Sequence, residues 1–350
     1  MVIPSIRPPD QRSIKNAQNH QNQLTKPTGA LGDLEDIACW LAGIQNSNLI
    51  QSRPSVLLLF ASDHPISRHG VSAYPREVTG AMLHNILSGG AASSVLCKKM
   101  NIPLQLWDVG VETDYPIPPL AADIHHHQIT PSGSVGNLFQ TDAMDDTCLQ
   151  QCFKAGRDAI DALDPQTKIV IFGEMGIGNT TPAAALSGAL LKKNASQIVG
   201  VGTGVIGDAL KNKIKLVQQA LDRCASLTDP TDILRCLGGR EIAAMTAAIE
   251  RAAQRGFAVW VDGFIVSSAA LAGCRINPSI RPYLYFAHCS AEAGHRLILD
   301  ALQAKPLINC GLRLGEGTGA LTAFPLLESA VALHCNMATF ETAAVPDREE

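Results

Sequence analysis

Short apolar runs, separated by longer stretches with helical spacing, constrain this chain more than any other feature. Ser55–Ala61 (SVLLLFA) is the clearest run, and residues 104–111, 168–173, 197–201, 257–261 and 283–287 repeat the pattern. Each has the length of a buried strand. Between them, residues 77–100, 208–224, 232–255 and 291–303 carry apolar residues at helical spacing. Strand then helix, repeated about six times, predicts an α/β fold: a doubly wound, mostly parallel sheet covered on both faces by helices. In such a sheet ligands bind beyond the carboxyl ends of the strands.

Composition narrows the function classes. With 350 residues the chain is long enough to bury a sizeable core. Only 17% of residues are charged, below the share usual in soluble domains, so much of the surface is expected to lie inside or at subunit contacts. The net charge of −4 and the lack of any long Lys/Arg run leave nothing to grip a phosphodiester backbone, which excludes nucleic acid as a partner. Ten cysteines are scattered without a CxxC, and only Cys148 and Cys152 lie close together, so they read as single thiols. The first ten residues lack the basic and apolar segments of a signal peptide, and no apolar stretch reaches about 18 residues. The expectation is a soluble, cytoplasmic protein without a membrane segment.

The ends differ from the middle. Residues before 55 hold polar helix-forming stretches and one apolar segment, 34–44, while residues after 318 form an Ala/Leu-rich helical tail. The expected division is a large α/β domain, 55–310, and a small helical domain built from 1–54 plus 311–350. The longest irregular stretch, 114–137, reads as a loop, and its His125-His126-His127 triplet as solvated, because adjacent histidines on a loop cannot complete a tetrahedral shell and no partner has matching spacing. No metal site is expected.

Three glycine clusters carry the chemistry. Gly173-Glu174-Met175-Gly176-Ile177-Gly178-Asn179-Thr180-Thr181 follows a predicted strand and opens a predicted helix, a context in which backbone N–H groups and a helix N-terminus receive phosphate. It mimics a nucleoside-triphosphate loop, but Asn179 stands where that loop needs lysine, so one phosphate suits it better than ATP. A tight strand-to-helix turn is the plainer alternative. The second cluster contains a formal G-x-G-x-x-G, Gly202 to Gly207, with Lys211, Lys213 and Lys215 downstream; no strand ending in an acidic residue follows at the required distance. In the third, 311–319, Glu316 is flanked by Gly315 and Gly317. Glycines there permit close approach, which makes Glu316 a candidate general base. Its plainer role is to complement a helix dipole. Asp63-His64, Asp262-Gly263 and His288 fall at strand ends and therefore at the same sheet edge, whereas the G-x-S-x-G of serine hydrolases is absent.

Together these segments resemble the nicotinate-nucleotide:dimethylbenzimidazole phosphoribosyltransferase family. The resemblance runs through KPTGALG (26–32), GVSAYP (70–75), GEMGIGNTT (173–181), DGFI (262–265), HCSAEAGH (288–295), LGEGTG (314–319) and MATF (337–340). It implies a Rossmann-like large domain, a small helical domain from both chain ends, and a homodimer. It implies a reaction too: nicotinate mononucleotide plus 5,6-dimethylbenzimidazole gives α-ribazole 5′-phosphate and nicotinate, with no metal or organic cofactor.

By the same resemblance Glu316 is the base that takes the benzimidazole N–H proton, and Glu174 supports the positive sugar. Gly176, Gly178, Asn179, Thr180, Gly202, Thr203, Lys213, Ser290 and Gly317 would hold phosphate and ribose, while Ser72, Tyr74, Met175 and Leu314 would form the slot for the flat base. Two positions depart from the pattern: Pro65 follows His64 where glycine is usual, and Ala81 stands where glutamine is frequent. Both bear on base selectivity. Two other readings remain open at this point, an NAD(P)-dependent oxidoreductase resting on Gly202 to Gly207, and a non-catalytic nucleotide-binding protein.

Overall fold

The computed structural model describes residues 5–346. Six strands form one all-parallel sheet: β1 (Ser55–Ala61), β2 (Leu104–Asp108), β3 (Ile124–Gln128), β4 (Ile169–Met175), β5 (Ala258–Val261) and β6 (Leu284–Phe286). Their order is β3-β2-β1-β4-β5-β6. The chain thus leaves β1 in one direction and returns beside it with β4, which puts the topological switch between those two strands.

Side chains along each strand alternate between two cores, as the two-residue pleat requires. Val56, Leu58 and Phe60 of β1, Val170 and Phe172 of β4, and Val259 and Val261 of β5 face one side. There they meet helices Asp146–Asp161, Thr180–Leu191, Arg240–Arg255 and Phe264–Ile276. Leu57, Leu59, Ile169, Ile171, Ala258 and Trp260 face the other side. Helices Asp33–Gln45, Val78–Leu87, Ala92–Met100 and Thr318–Asn336 cover it. Two-sided burial is why these runs are continuously apolar.

Helices from the two chain ends meet on that second face. Ile37 and Leu41 share its core with Leu321, Phe324 and Leu327. Leu24 pairs with Thr339, and the His334 ring and carbonyl receive Gln21 and His20, each at 2.9 Å. The outermost residues of the expected small domain, 1–4 and 347–350, lie outside the described residues.

Several sequence expectations need correction. Residues 197–201 form no strand: a capping box between Asn194 and Gln197 winds Ala195–Ile198 into one helical turn, and Ile198 and Val199 are buried among helices rather than beside a strand. The sixth strand is instead β3, inside the stretch expected to be a loop. It is an edge strand that holds its polar side chains by contacts from outside its own segment. His127 stacks on Trp107 at 4.1 Å, and His126 Nε2 meets the Tyr115 hydroxyl at 3.1 Å, so the triplet is not a solvated loop. The stretches 77–100 and 232–255 each split into two helices at Gly89-Gly90 and Gly238-Gly239. Among the described residues no helix is long and apolar enough to cross a membrane.

Candidate active site

The carboxyl ends of β4, β5 and β6, with Tyr74, Val78 and Met82 from the chain after β1, enclose a cavity of about 470 Å³ beside the switch point, while Asp63 and His64 at the end of β1 are not on its wall. Its walls are mixed: Val78, Met82, Ile177 and Phe264 are apolar, and Glu174, Asp262, Glu292 and Glu316 bring four carboxyl groups.

Glu316 is positioned by contacts remote in sequence. Its backbone is in the left-handed region (φ 59°), and its N–H donates to the Glu174 carbonyl at 3.1 Å. The Glu316–Gly317 peptide crosses directly over Gly173, where an added Cβ would lie 2.6 Å from the Glu316 carbonyl carbon. Glycine is required there to let the two backbones touch. The carboxylate reaches helix Ala92–Met100, accepting from Ser93 Oγ at 2.9 Å and Ser93 N at 3.3 Å. Ala91, the N-cap of that helix, has no side chain to do this, so Glu316 supplies the missing acceptor. Burial pushes its pKa up, opposed by the Ser93 hydrogen bonds and reinforced by the charge of Asp262. The simple helix-dipole alternative therefore concerns a different helix from the one Glu316 precedes.

Glu174 is the next-to-last residue of β4 and is 4% exposed. Its Oε2 accepts from the Asn179 amide. Burial, with the charges of Asp262 and Glu241, holds its pKa well above the usual carboxylate range. Like charges crowded into a dry site favour the protonated form of one of them.

At the other end of the cavity the N-terminus of helix Thr180–Leu191 meets Gly202, Thr203 and Ser290. Lys213 lies behind them, fully buried, donating to Thr180 Oγ1 at 2.8 Å and to the Gly200 carbonyl at 3.1 Å. Desolvation lowers its pKa to about 8. Arg313 donates to the Gly202 carbonyl at 2.9 Å, and Gly202 N donates to Glu292 Oε1 at 2.9 Å.

Most of the residues singled out from the sequence converge here. Glu174, Met175, Gly176, Asn179, Thr180, Gly202, Thr203, Ser290, Tyr74, Leu314 and Glu316 line the cavity. Lys213, Gly178, Gly317 and Ser72 do not: Lys213 stands behind Thr180, and the Ser72 hydroxyl is paired with that of Thr203 at 3.0 Å. Neither Pro65 nor Ala81 lines it, but Met82 does. The sequence alone did not pick out Ser93 as a site residue, and it placed Asp262, His288, Glu292 and Arg313 in the relevant segments without a role. The break at Gly89-Gly90, followed by an uncapped helix start, was the one local sign of Ser93.

A parallel sheet with one cluster of crowded titratable groups in a crevice at its switch point is the arrangement of an α/β enzyme. A family model described as Phosphoribosyltransferase matches residues 6–345, and the chain belongs to that family. A Bradyrhizobium protein (strain BTAi1) named nicotinate-nucleotide–dimethylbenzimidazole phosphoribosyltransferase is 47% identical over 97% of this chain and 96% of its own. A Pseudomonas putida (strain W619) protein of the same name is 44% identical over 98% and 97%. The crystal structure of the enzyme so named from Thermus thermophilus superposes with a TM-score of 0.88 at 35% identity, covering 97% of this chain and all of that one. The oxidoreductase reading falls away, since the loop from Gly202 to Gly207 does not follow a strand.

Proposed function

We propose that this phosphoribosyltransferase moves the phosphoribosyl group of nicotinate mononucleotide to 5,6-dimethylbenzimidazole, yielding α-ribazole 5′-phosphate and nicotinate. The observation that carries this reading is Glu316: a buried carboxylate on the cavity wall, held by Ser93, with its pKa raised toward the working range of a base.

The pyridinium leaves with the electrons of the broken C1′–N bond and becomes neutral at nitrogen, so departure needs no general acid. The incoming base must lose a proton. As one benzimidazole nitrogen forms the new bond to C1′, the N–H proton of the other passes to Glu316. Attack opposite the departing ring turns the β-linkage into α. Glu174, pressed toward its acid form by burial and like charges, ionises more readily beside a positive sugar, which favours its role as electrostatic support. Gly176, Asn179, Thr180, Gly202, Thr203 and Ser290 serve the phosphate and ribose, with Lys213 behind Thr180 as the cation, while Gly178 and Gly317, off the wall and at positive φ, shape the turns beside it. Tyr74, Met175 and Leu314 supply apolar surface for the flat base, and Ser72 braces Thr203.

The direct test is to incubate the purified protein with both substrates and identify the products and anomeric configuration. α-Ribazole phosphate with stoichiometric nicotinate is expected, and binding of either substrate without nicotinate release would leave a non-catalytic nucleotide-binding protein. Because the free enzyme loses the Lys213 charge as pH rises through about 8, KM for the mononucleotide is expected to climb from about pH 7 to about pH 9. Lys213→Met should abolish that climb; a flat profile in the unaltered enzyme would remove Lys213 from phosphate recognition.

A homodimer in the cytoplasm completes the proposal. All ten cysteines are free thiols, which suits a reducing compartment. Tyr74, Leu314 and Ile206 are more than half exposed, as apolar groups at a subunit contact are in the isolated chain. The helices of 1–54 and 311–350 are proposed to act as one small unit beside the 55–310 domain.

A further inference from the structure

Two residues on the cavity wall carry buried polar atoms without a hydrogen-bond partner, Glu292 at one carboxylate oxygen and His288 at both ring nitrogens. The His288 side chain is buried, yet neither ring nitrogen makes an aligned hydrogen bond. Leaving a buried polar group unpaired forfeits its hydration with nothing in return. Its Nε2 lies 3.3 Å from Asp262 Oδ1, and the ring packs against Gly319, where an added Cβ would come within 2.1 Å of it. The contact is therefore built for glycine at 319 and for a ring at 288.

Asp262 does a second thing with the same oxygen. Its Oδ1 accepts from Ala320 N at 2.8 Å. Two strand ends, β5 through Asp262 and β6 through His288, thus close on the first turn of helix Thr318–Asn336. Immediately before that turn come Glu316 (φ 59°) and Gly317 (φ 76°). A non-glycine residue in the left-handed region is strained and persists only where its surroundings over-determine it. Ser93 and the Glu174 carbonyl hold Glu316 from one side; the pinned helix start holds it from the other.

We propose that Asp262 and His288 are positioning residues for Glu316, fixing the first turn of helix Thr318–Asn336 so that the Glu316 carboxylate stays on the cavity wall. This rests on Glu316 being the base. The charged groups that act on Glu316 are Glu174 from β4 and Asp262 just after β5, with the neutral Ser93 from helix Ala92–Met100, and Glu292, Arg313 and His288 share the same cavity wall.

Three variants test it. Asp262→Ala removes acceptor and charge, Asp262→Asn keeps an oxygen for Ala320 N–H but removes the charge, and His288→Ala removes the ring over Gly319. In D262A kcat is expected to fall about 10²-fold, the scale of a misplaced catalytic group, and in H288A about 10-fold, with KM for the mononucleotide within about threefold. Backbone amide exchange over 316–321 should quicken in both. In D262N the acidic limb of the kcat profile should move to lower pH, because the Asp262 charge is one of the things that raises the Glu316 pKa. That shift is one a purely structural role would not give, and it needs only the variant that keeps the helix contact. Unchanged exchange and kcat in D262A and H288A, a rise in KM matching the fall in kcat, or an unmoved limb in D262N would each overturn the proposal. Full turnover in E316Q with exchange still responsive in D262A would fault the base assignment and leave the pinned turn standing.

Discussion

Glu316→Gln is expected to lower turnover by about 10²–10⁴-fold, or about 3–5 kcal/mol of transition-state stabilisation, while binding of nicotinate mononucleotide persists. Glutamine keeps the length of the side chain and an oxygen for Ser93, so the wall of the cavity keeps its shape. It lacks the basicity to take a ring proton. Stability should move the other way from activity. A carboxyl whose folded pKa is raised stabilises the fold below its unfolded pKa and loses that contribution as pH rises through the folded one, so at neutral pH the buried charge is a net cost. The E316Q variant should therefore melt at the same temperature or higher, which separates lost chemistry from lost folding. The acidic limb of the kcat profile in the unaltered enzyme should lie above the ordinary glutamate value and vanish in E316Q. Unchanged turnover would remove Glu316 from the mechanism.

Gly173→Ala is the second large effect. The new methyl would meet the Glu316 carbonyl carbon at 2.6 Å and Gly317 N at 2.7 Å, both backbone atoms with no rotamer to yield. The chain over β4 must lift, and Glu316 with it. Overpacking of this kind costs about 1–3 kcal/mol in stability. Displacing the carboxylate by about 1 Å is expected to cost about 10²-fold in kcat. Thermal melting and steady-state kinetics together check both parts. A variant with unaltered kcat would show that this contact does not set the position of Glu316.

The sheet was legible wherever burial on both faces left an apolar run, as in Ser55–Ala61, because sequence and packing then say the same thing. It was not legible at β3, where His127 is held by Trp107 of β2 and His126 by Tyr115, outside the strand itself. The opposite failure came at 197–201, apolar enough for a strand but wound into a turn by a local capping box and buried against helices. Glycine clusters announced the cavity because close backbone approach leaves few other choices of residue. Ser93 gave little such signal, and Asp262 and His288 were placed at the sheet edge without their pairing, since serine, aspartate and histidine are common in many settings and only their neighbours give them a task.

The alternation of strands and helices, the two-faced sheet and the family were written in the sequence, through periodicity and through motifs whose glycines answer to backbone geometry. Which carboxyl groups crowd together, which helix end receives Glu316, and why Gly173 and Gly319 must lack side chains were decided by tertiary structure alone. Those contacts join segments more than thirty residues apart, and linear spacing carries no distance across a fold.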